Sequence, residues 1–193
     1  KVRRDKMFYE TSGGGVTVSG GEPLLQIDFL IEFFTKAKEK GINTCIDTAG
    51  GPFTRSEPWF SKFSELMKVT DLLLMDIKHI DEEEHKKLTG QSGENVRDMF
   101  RYLDEIKKPI WIRHVLTPGI TDNDEYLTKT RDFIRSLGNV QRVEVLPYHG
   151  LGAMKYKELG IDYVLKDTES PTLERVANAR EILECEKYTG WKN

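Results

Sequence analysis

Cysteine is scarce in this chain, and several other features are missing. Only two of the 193 residues are cysteine, Cys45 in a predicted strand and Cys185 in the last predicted helix, too few for a disulfide framework or a zinc site. No apolar run approaches the roughly 18 residues of a membrane-spanning helix, and we find neither a signal-peptide pattern nor an internal repeat. The 29 basic and 32 acidic residues give a net charge of -3, which offers no electrostatic case for binding nucleic acid. We therefore expect one soluble domain in a reducing, cytoplasmic compartment.

The chain does contain an alternation of apolar runs and helical patterns. The apolar runs cover residues 16–18, 43–47, 71–78, 110–116 and 140–149. Between the first two, apolar side chains recur at three-and-four spacing over residues 27–40, and Gly41 follows where a helix ends. Such an alternation predicts the α/β class, with a parallel sheet covered by helices.

Helix starts are marked by capping residues. Asp81 followed by Glu84 resembles a capping box, and Ser170 before Pro171 predicts an N-cap with proline at the first helical position. The charged segment 1–10 is predicted to be helical and leads directly into the first strand. A barrel would place another strand before that helix, so we expect residues 1–193 to be a single, N-terminally truncated domain.

Charged side chains lie at or just beyond the ends of the predicted strands. They are Glu22, Asp47, Asp76, Lys78 and His149. In a parallel α/β barrel the carboxyl ends of the strands form the active-site face, and converging charges are costly there unless they bind something. The first strand ends in two glycines, which lack Cβ atoms and let the backbone approach a ligand closely. This edge of the sheet is therefore the predicted binding site.

Four motifs, in this order, resemble the radical S-adenosylmethionine enzymes that activate glycyl radical enzymes. They are SGGGVTVSGGEP at 12–23, DTAG at 47–50, MDIK at 75–78 and LPYHGLG at 146–152. The resemblance implies a partial (β/α) TIM-like barrel in which about five of the family's six parallel strands are present.

The resemblance also implies a chemistry. In that family a 4Fe-4S cluster held by three cysteines donates an electron to S-adenosylmethionine, and a 5′-deoxyadenosyl radical then takes hydrogen from a glycine of the partner. The implied partner is pyruvate formate-lyase or a relative, and the electron donor a flavodoxin or ferredoxin. The family's Cys-x3-Cys-x2-Cys motif does not occur in these 193 residues. We therefore expect a fragment that cannot assemble the cluster alone.

The cofactor-binding residues implied by the resemblance are Gly20, Gly21, Glu22, Asp47, Lys78, Arg113 and His149. The backbone around the glycine pair would hold the methionyl amino end of S-adenosylmethionine. Lys78 and His149 would reach the carboxylate of the cofactor through charge-assisted contacts. Arg113 would lie on the side where the glycine loop of the partner enters.

A monovalent-cation site is implied as well, formed by Asp47, Thr48, the carbonyl of Met75 and Asp76. Two aspartates that face each other need a positive charge between them. The remaining histidines, His79, His85 and His114, have no spacing typical of metal ligands, and we expect them to be structural.

Two functions from other classes also fit the residues. The first is a barrel-type lyase with Lys78 as Schiff-base nucleophile and Asp76 or Asp47 as its proton partner. The second is a non-catalytic module that binds S-adenosylmethionine or a partner protein without turnover.

Overall fold

Five strands alternate with helices along the chain. The computed structural model describes residues 2–163 and 165–192. The strands are β1 (Gly15–Val18), β2 (Asn43–Thr48), β3 (Leu72–Asp76), β4 (Ile110–Leu116) and β5 (Val140–Pro147). The helices are α1 (Lys6–Ser12), α2 (Ile27–Lys38), α3 (Trp59–Lys68), α4 (Glu82–Thr89), α5 (Glu94–Glu105), α6 (Asp124–Arg135), α7 (Ala153–Glu158) and α8 (Leu173–Ile182). Short 3-10 turns span Val2–Asp5, Pro23–Gln26, Gly150–Gly152, Cys185–Lys187 and Gly190–Lys192.

The strands lie side by side in chain order, from β1 to β5, and every neighbouring pair is parallel. Each step from one strand to the next passes through at least one helix. Parallel strands in chain order with helical crossovers are the arrangement of a (β/α) barrel, and five of them form a partial barrel. The expected fold class is confirmed. Within the described residues β1 has β2 as its single strand neighbour and forms an edge of the sheet.

Helices seal one face of the sheet, and the other face lines the inside of the partial barrel. Along β4, Ile110, Ile112 and His114 are buried, whereas Trp111 and Arg113 are half-buried, as period-two alternation requires. Four phenylalanines pack in or against the core: Phe34 and Phe63 are fully buried, and Phe33 and Phe60 are half-buried against it.

Two local predictions near the C-terminus are wrong. Helix α8 begins after Thr172, whose hydroxyl accepts the backbone N–H of Arg175 at 3.1 Å, and not after Ser170. Cys185 lies in the turn that follows this helix rather than within it.

The predicted N-terminal helix is present as the turn at Val2–Asp5 followed by α1, while Lys1 lies outside the described residues. None of the helices in residues 2–163 and 165–192 combines the length and apolar character that crossing a membrane requires.

Candidate functional site

A cavity of about 750 Å³ opens at the C-terminal edge of the sheet. Its size is typical of small-molecule sites. The loops after β1, β2 and β3 line it, together with one residue of β4 and the junction between α4 and α5. Six of the seven predicted cofactor residues line this cavity, and they are Gly20, Gly21, Glu22, Asp47, Lys78 and Arg113.

His149 is the predicted cofactor residue that the structure keeps apart from the cavity. It follows β5 at the same edge of the sheet, precedes the turn Gly150–Gly152, and has an exposed side chain. Among the described residues it does not belong to the cavity lining. Strand β4 lies between β5 and β3, so His149 and Lys78 follow strands that are not neighbours.

Hydrogen bonds to the carboxylate of Glu22 connect the loop after β1 to the end of β2 and the loop that follows it. Its Oε1 accepts the backbone N–H of Leu24 at 3.1 Å and the hydroxyl of Thr48 at 2.5 Å, and its Oε2 accepts the N–H of Ala49 at 3.1 Å. The hydroxyl of Thr48 in turn accepts the N–H of Gly50 at 2.9 Å. The carboxylate is thus engaged within the protein, which leaves the backbone of the preceding glycine pair to meet a ligand.

Glycine suits the two positions of that pair for different physical reasons. Gly20 has a φ of +132°, a conformation that L side chains rarely adopt. A Cβ atom at Gly21 would meet nothing within 4 Å, and this residue lines the cavity. Gly20 is therefore required by backbone conformation, whereas Gly21 leaves open space where a ligand can approach.

Four charged side chains form a connected network in the cavity wall. The guanidinium of Arg113 bridges the two aspartates: its Nη1 donates to Asp47 Oδ2 at 3.1 Å, its Nη2 donates to the other oxygen of Asp47, and its Nε donates to Asp76 Oδ1 at 3.1 Å. Lys78 Nζ donates to Asp76 Oδ2 at 2.7 Å. Burial opposes the charge of Arg113, but Asp76 and Asp47 outweigh it and raise the pKa of this guanidinium. The negative charges of the two aspartates are therefore balanced by the positive charges of Arg113 and Lys78.

The residues predicted for a monovalent cation are neighbours at the ends of β2 and β3. Thr48 and Met75 are paired in register, with Asp47 beside one and Asp76 beside the other. The two aspartates do face a shared positive charge, and in this structure that charge is the guanidinium of Arg113. Across residues 2–163 and 165–192, no cluster of three or more histidine, cysteine or acidic residues suits a metal ion.

The other end of the cavity is lined by neutral polar residues that sequence reasoning missed. They are His85, Thr89, Gln91 and Ser92, from α4 and the connection to α5. The available signal was the amphipathic pattern of α4, in which His85 is the buried position. The cavity is therefore lined by carboxylates and cations near β2, β3 and β4, and by other polar side chains near α4.

Comparison with known proteins assigns this arrangement to a class. Residues 5–131 match the Radical SAM superfamily, and the chain belongs to that superfamily.

More specific relatives narrow the assignment. The chain is 55% identical over 183 residues to the pyruvate formate-lyase-activating enzyme of Listeria monocytogenes, which covers 95% of this chain and 74% of the relative. It is 50% identical over 179 residues to the enzyme of that name from Streptococcus mutans, with 93% and 68% covered. The solved structure of a domain of pyruvate-formate lyase-activating enzyme from Bacteroides vulgatus matches with a TM-score of 0.73 at 25% identity, over 91% of this chain and 96% of that one. Within the superfamily, the chain belongs to the pyruvate formate-lyase-activating enzyme family.

Membership of this family implies that S-adenosylmethionine and a 4Fe-4S cluster are the cofactors. The residues of the chain fit these two cofactors to different extents. Acidic groups, bare backbone and the ammonium of Lys78 suit the zwitterionic end of S-adenosylmethionine. The cluster needs three thiolates, but the chain has two cysteines, both unpaired, on different elements. Burial raises the pKa of both thiols, that of Cys185 to about 11, which disfavours thiolate ligands. The residues that line the cavity therefore fit S-adenosylmethionine, whereas the two cysteines do not fit the cluster.

Proposed function

We propose that the chain is the S-adenosylmethionine-binding barrel of an activating enzyme that removes a hydrogen atom from a glycine of a glycyl radical enzyme. Pyruvate formate-lyase is the partner that the names of its relatives indicate. The observation that carries the proposal is the convergence of Gly21, Asp47 and Lys78 on one cavity in a member of this family.

The residues would bind and orient the cofactor, which supplies a hydrogen-abstracting radical once a reduced 4Fe-4S cluster has given it one electron. The backbone at Gly20 and Gly21 holds the methionyl ammonium, and Lys78 holds the carboxylate. Each charge-assisted contact contributes roughly 1.5 to 3 kcal/mol. His149 adds a second contact to the carboxylate if the loop after β5 folds inward.

A monovalent cation bound by Asp47, Thr48, the carbonyl of Met75 and Asp76 is part of the proposal. The guanidinium of Arg113 already neutralises the two aspartates, so it competes with the cation for the same place. The cation binds when Arg113 turns toward the glycine loop of the partner.

Two further features complete the proposal. Electrons come from a one-electron donor such as a flavodoxin or ferredoxin. The location is the cytoplasm, since both cysteines are free thiols, as a reducing compartment maintains them.

The geometry does not favour a Schiff-base lyase. The amine of Lys78 is held in an ion pair with Asp76, whereas a Schiff-base lysine is usually desolvated in an apolar pocket or set beside another cation. A non-catalytic binding module would keep the cavity but would never yield a glycyl radical. The electron paramagnetic resonance experiment with the partner, described below, therefore separates this alternative from the activase.

Calorimetry with S-adenosylmethionine tests the cofactor site. We expect Lys78→Ala to lower the affinity at least about tenfold, because one charge-assisted contact is lost. Lys86→Ala, at an exposed position of α4, is the matched control and leaves the affinity unchanged. Absence of binding by the unmodified chain would contradict the proposal, and equal affinities in both variants would remove Lys78 from the site.

Electron paramagnetic resonance tests the activity. With a reductant, iron, sulfide, S-adenosylmethionine and pyruvate formate-lyase, the 193-residue chain forms no glycyl radical, because two cysteines cannot supply three ligands. The same chain joined to a segment that carries the three-cysteine motif forms the radical. Failure of the joined protein, despite an assembled cluster and bound cofactor, would favour the non-catalytic module.

A further inference from the structure

A five-residue segment that is neither helix nor strand carries part of the cavity wall. It runs from residue 77 to residue 81, between the end of β3 at Asp76 and the start of α4 at Glu82. Lys78 of this segment lines the cavity, whereas its neighbours Ile77 and His79 are buried and do not belong to the cavity lining. Buried backbone outside helices and strands needs other hydrogen-bond partners.

Imidazole rings supply three of those partners. Nδ1 of His114 lies 2.9 Å from the carbonyl oxygen of Ile77, and Nδ1 of His85 lies 3.2 Å from the carbonyl oxygen of His79. Nδ1 of His79 accepts the backbone N–H of Asp81 at 3.1 Å. The backbone N–H of Ile77 continues the strand ladder to β4. Both carbonyl groups that flank Lys78 in the chain are thus held by histidine side chains.

The hydrogen bonds fix the tautomers of His79 and His85. A carbonyl oxygen only accepts, so Nδ1 of His85 carries the proton. Both nitrogens of His114 face carbonyl oxygens, and the shorter contact, from Nδ1 to Ile77, assigns the proton of the neutral ring to Nδ1. A backbone N–H only donates, so Nδ1 of His79 is unprotonated and its Nε2–H donates to Ile120 at 3.2 Å. All three rings are buried, and burial lowers the pKa of His114, which favours the neutral form of that ring.

The same rings connect the segment to the loop after β4. His79 reaches the carbonyl of Ile120, and Nε2 of His114 lies 3.3 Å from the carbonyl of Thr121. The hydroxyl of Thr121 donates to the carbonyl of Val115 and accepts the N–H of Thr117, which ties this loop to the end of β4. Arg113 of β4 contacts Asp76. The hydrogen bond of His79 therefore joins the segment to the loop after β4, and the charged network joins β3 to β4.

From this arrangement we propose that His79, His85 and His114 are positioning residues for the cofactor contact of Lys78. They fix the backbone on both sides of Lys78, so that its ammonium leaves the segment toward the cavity and toward Asp76. The inference rests on the proposed function, because it assigns the contact of Lys78 to S-adenosylmethionine. It extends the role of these histidines beyond the structural one expected from sequence.

His114 offers the sharpest test because asparagine reproduces a donor at the Nδ1 position and leucine does not. We expect His114→Leu to lower the affinity for S-adenosylmethionine about threefold to tenfold, a coupling typical of neighbouring residues. His114→Asn retains most of the affinity. In a Lys78→Ala background, His114→Leu produces no further loss, because the contact it positions is already gone.

Hydrogen exchange and 15N NMR test the geometry without any cofactor. Amides of residues 77–81 exchange faster in His114→Leu than in His114→Asn, and NMR finds His79 protonated at Nε2 and His85 and His114 at Nδ1. Equal losses of affinity in both Lys78 backgrounds would overturn the inference, since they would show a general structural effect. So would unchanged exchange in the leucine variant, or a proton on Nδ1 of His79. If the unmodified chain binds no S-adenosylmethionine, the proposed function fails, and exchange and NMR alone decide whether the histidines hold this segment.

Discussion

At the scale of single residues, Arg113 determines the charge balance of the cavity. Its side chain is 19% exposed and lies between Asp47 and Asp76, whose exposures are 24% and 16%. At this depth two carboxylates near one another repel strongly unless a cation separates them. The structure supplies that cation from β4, one strand beyond the aspartate of β3.

Replacing Arg113 by glutamine removes this charge while keeping a polar side chain. We expect the free energy of unfolding to fall by about 3 kcal/mol, the cost of leaving partly buried carboxylates unpaired. We also expect sodium or potassium chloride to restore stability more than choline chloride does, because a small cation can occupy the vacated place. Thermal and urea unfolding in each salt measure both effects.

Arg131→Gln is the matched control, since Arg131 pairs with its sequence neighbour Asp132 at the surface. Its stability changes by roughly 0.5 kcal/mol or less. Equal responses of Arg113→Gln to choline and to the alkali cations would argue against a cation site at these aspartates.

Gly20 and Gly21 respond differently to alanine. Gly20→Ala forces a side chain into a φ of +132°, and we expect a loss of about 1 to 3 kcal/mol in stability. Gly21→Ala is tolerated by the fold because its Cβ meets nothing within 4 Å, but it narrows the cavity and weakens cofactor binding severalfold. Urea unfolding and calorimetry on the two variants give the comparison. A stable Gly20→Ala, or a Gly21→Ala with full affinity, would contradict these assignments.

Sequence reasoning identified the residue types at the site better than their contacts. Asp47, Asp76 and Lys78 could be predicted because each follows an apolar run in a parallel sheet. The partners of Arg113 could not, because its contact with Asp47 joins residues 66 positions apart on strands that are not neighbours. The hydrogen bonds of Glu22 could not be predicted either, since its carboxylate accepts a hydrogen bond from Thr48, 26 residues away.

At the scale of elements, the start of α4 shows how local and tertiary contacts combine. Asp81 accepts the N–H groups of Glu83 and Glu84, as an N-cap does. The predicted capping box is only half formed: the N–H of Asp81 donates to His79, and the carboxylate of Glu84 pairs with Lys87. A pattern of four residues cannot reveal that a buried histidine competes for the same N–H group.

Replacing Asp81 tests how much this N-cap contributes to the stability of the protein. We expect Asp81→Ala to cost about 1 kcal/mol in the free energy of unfolding, and Asp81→Asn to retain most of it, because an amide oxygen also caps. Urea unfolding of the two variants measures the difference. A loss in the asparagine variant as large as that in the alanine variant would assign the effect to charge at the helix N-terminus rather than to capping.

At the scale of the whole molecule, the order of the strands could be predicted because strand-helix alternation strongly favours parallel neighbours. The packing of the C-terminal residues against the strands of the barrel could not be predicted. There the guanidinium of Arg142 lies 4.9 Å from the ring of Trp111 and 4.2 Å from that of Trp191, a contact among residues far apart in sequence. The exposed position of His149 was also missed, because the motif around it gives no orientation of its loop.

The stability of the whole protein should depend on pH through His114. Burial, only partly offset by its carbonyl contacts and the nearby Asp76, lowers the pKa of this imidazole below its usual value near 6.5. Below that value the unfolded chain binds a proton that the folded chain excludes, so the free energy of unfolding rises with pH and falls as pH drops from 7 toward 5. The limiting slope for one group is about 1.4 kcal/mol per pH unit.

His114→Asn keeps the donor to Ile77 but removes the titrating group, so its stability profile between pH 5 and 7 is flatter than that of the unmodified chain. This window lies above the titration of the paired carboxylates, since Glu82 and Glu184 each have a pKa of about 2 in the folded protein. Urea unfolding at half-unit steps of pH gives both profiles. Because the other histidines remain in the variant, the difference between the profiles isolates His114. Parallel profiles would show that the folded state accepts a proton on this ring, and the buried imidazole would then be charged, with both of its nitrogens donating to carbonyl groups.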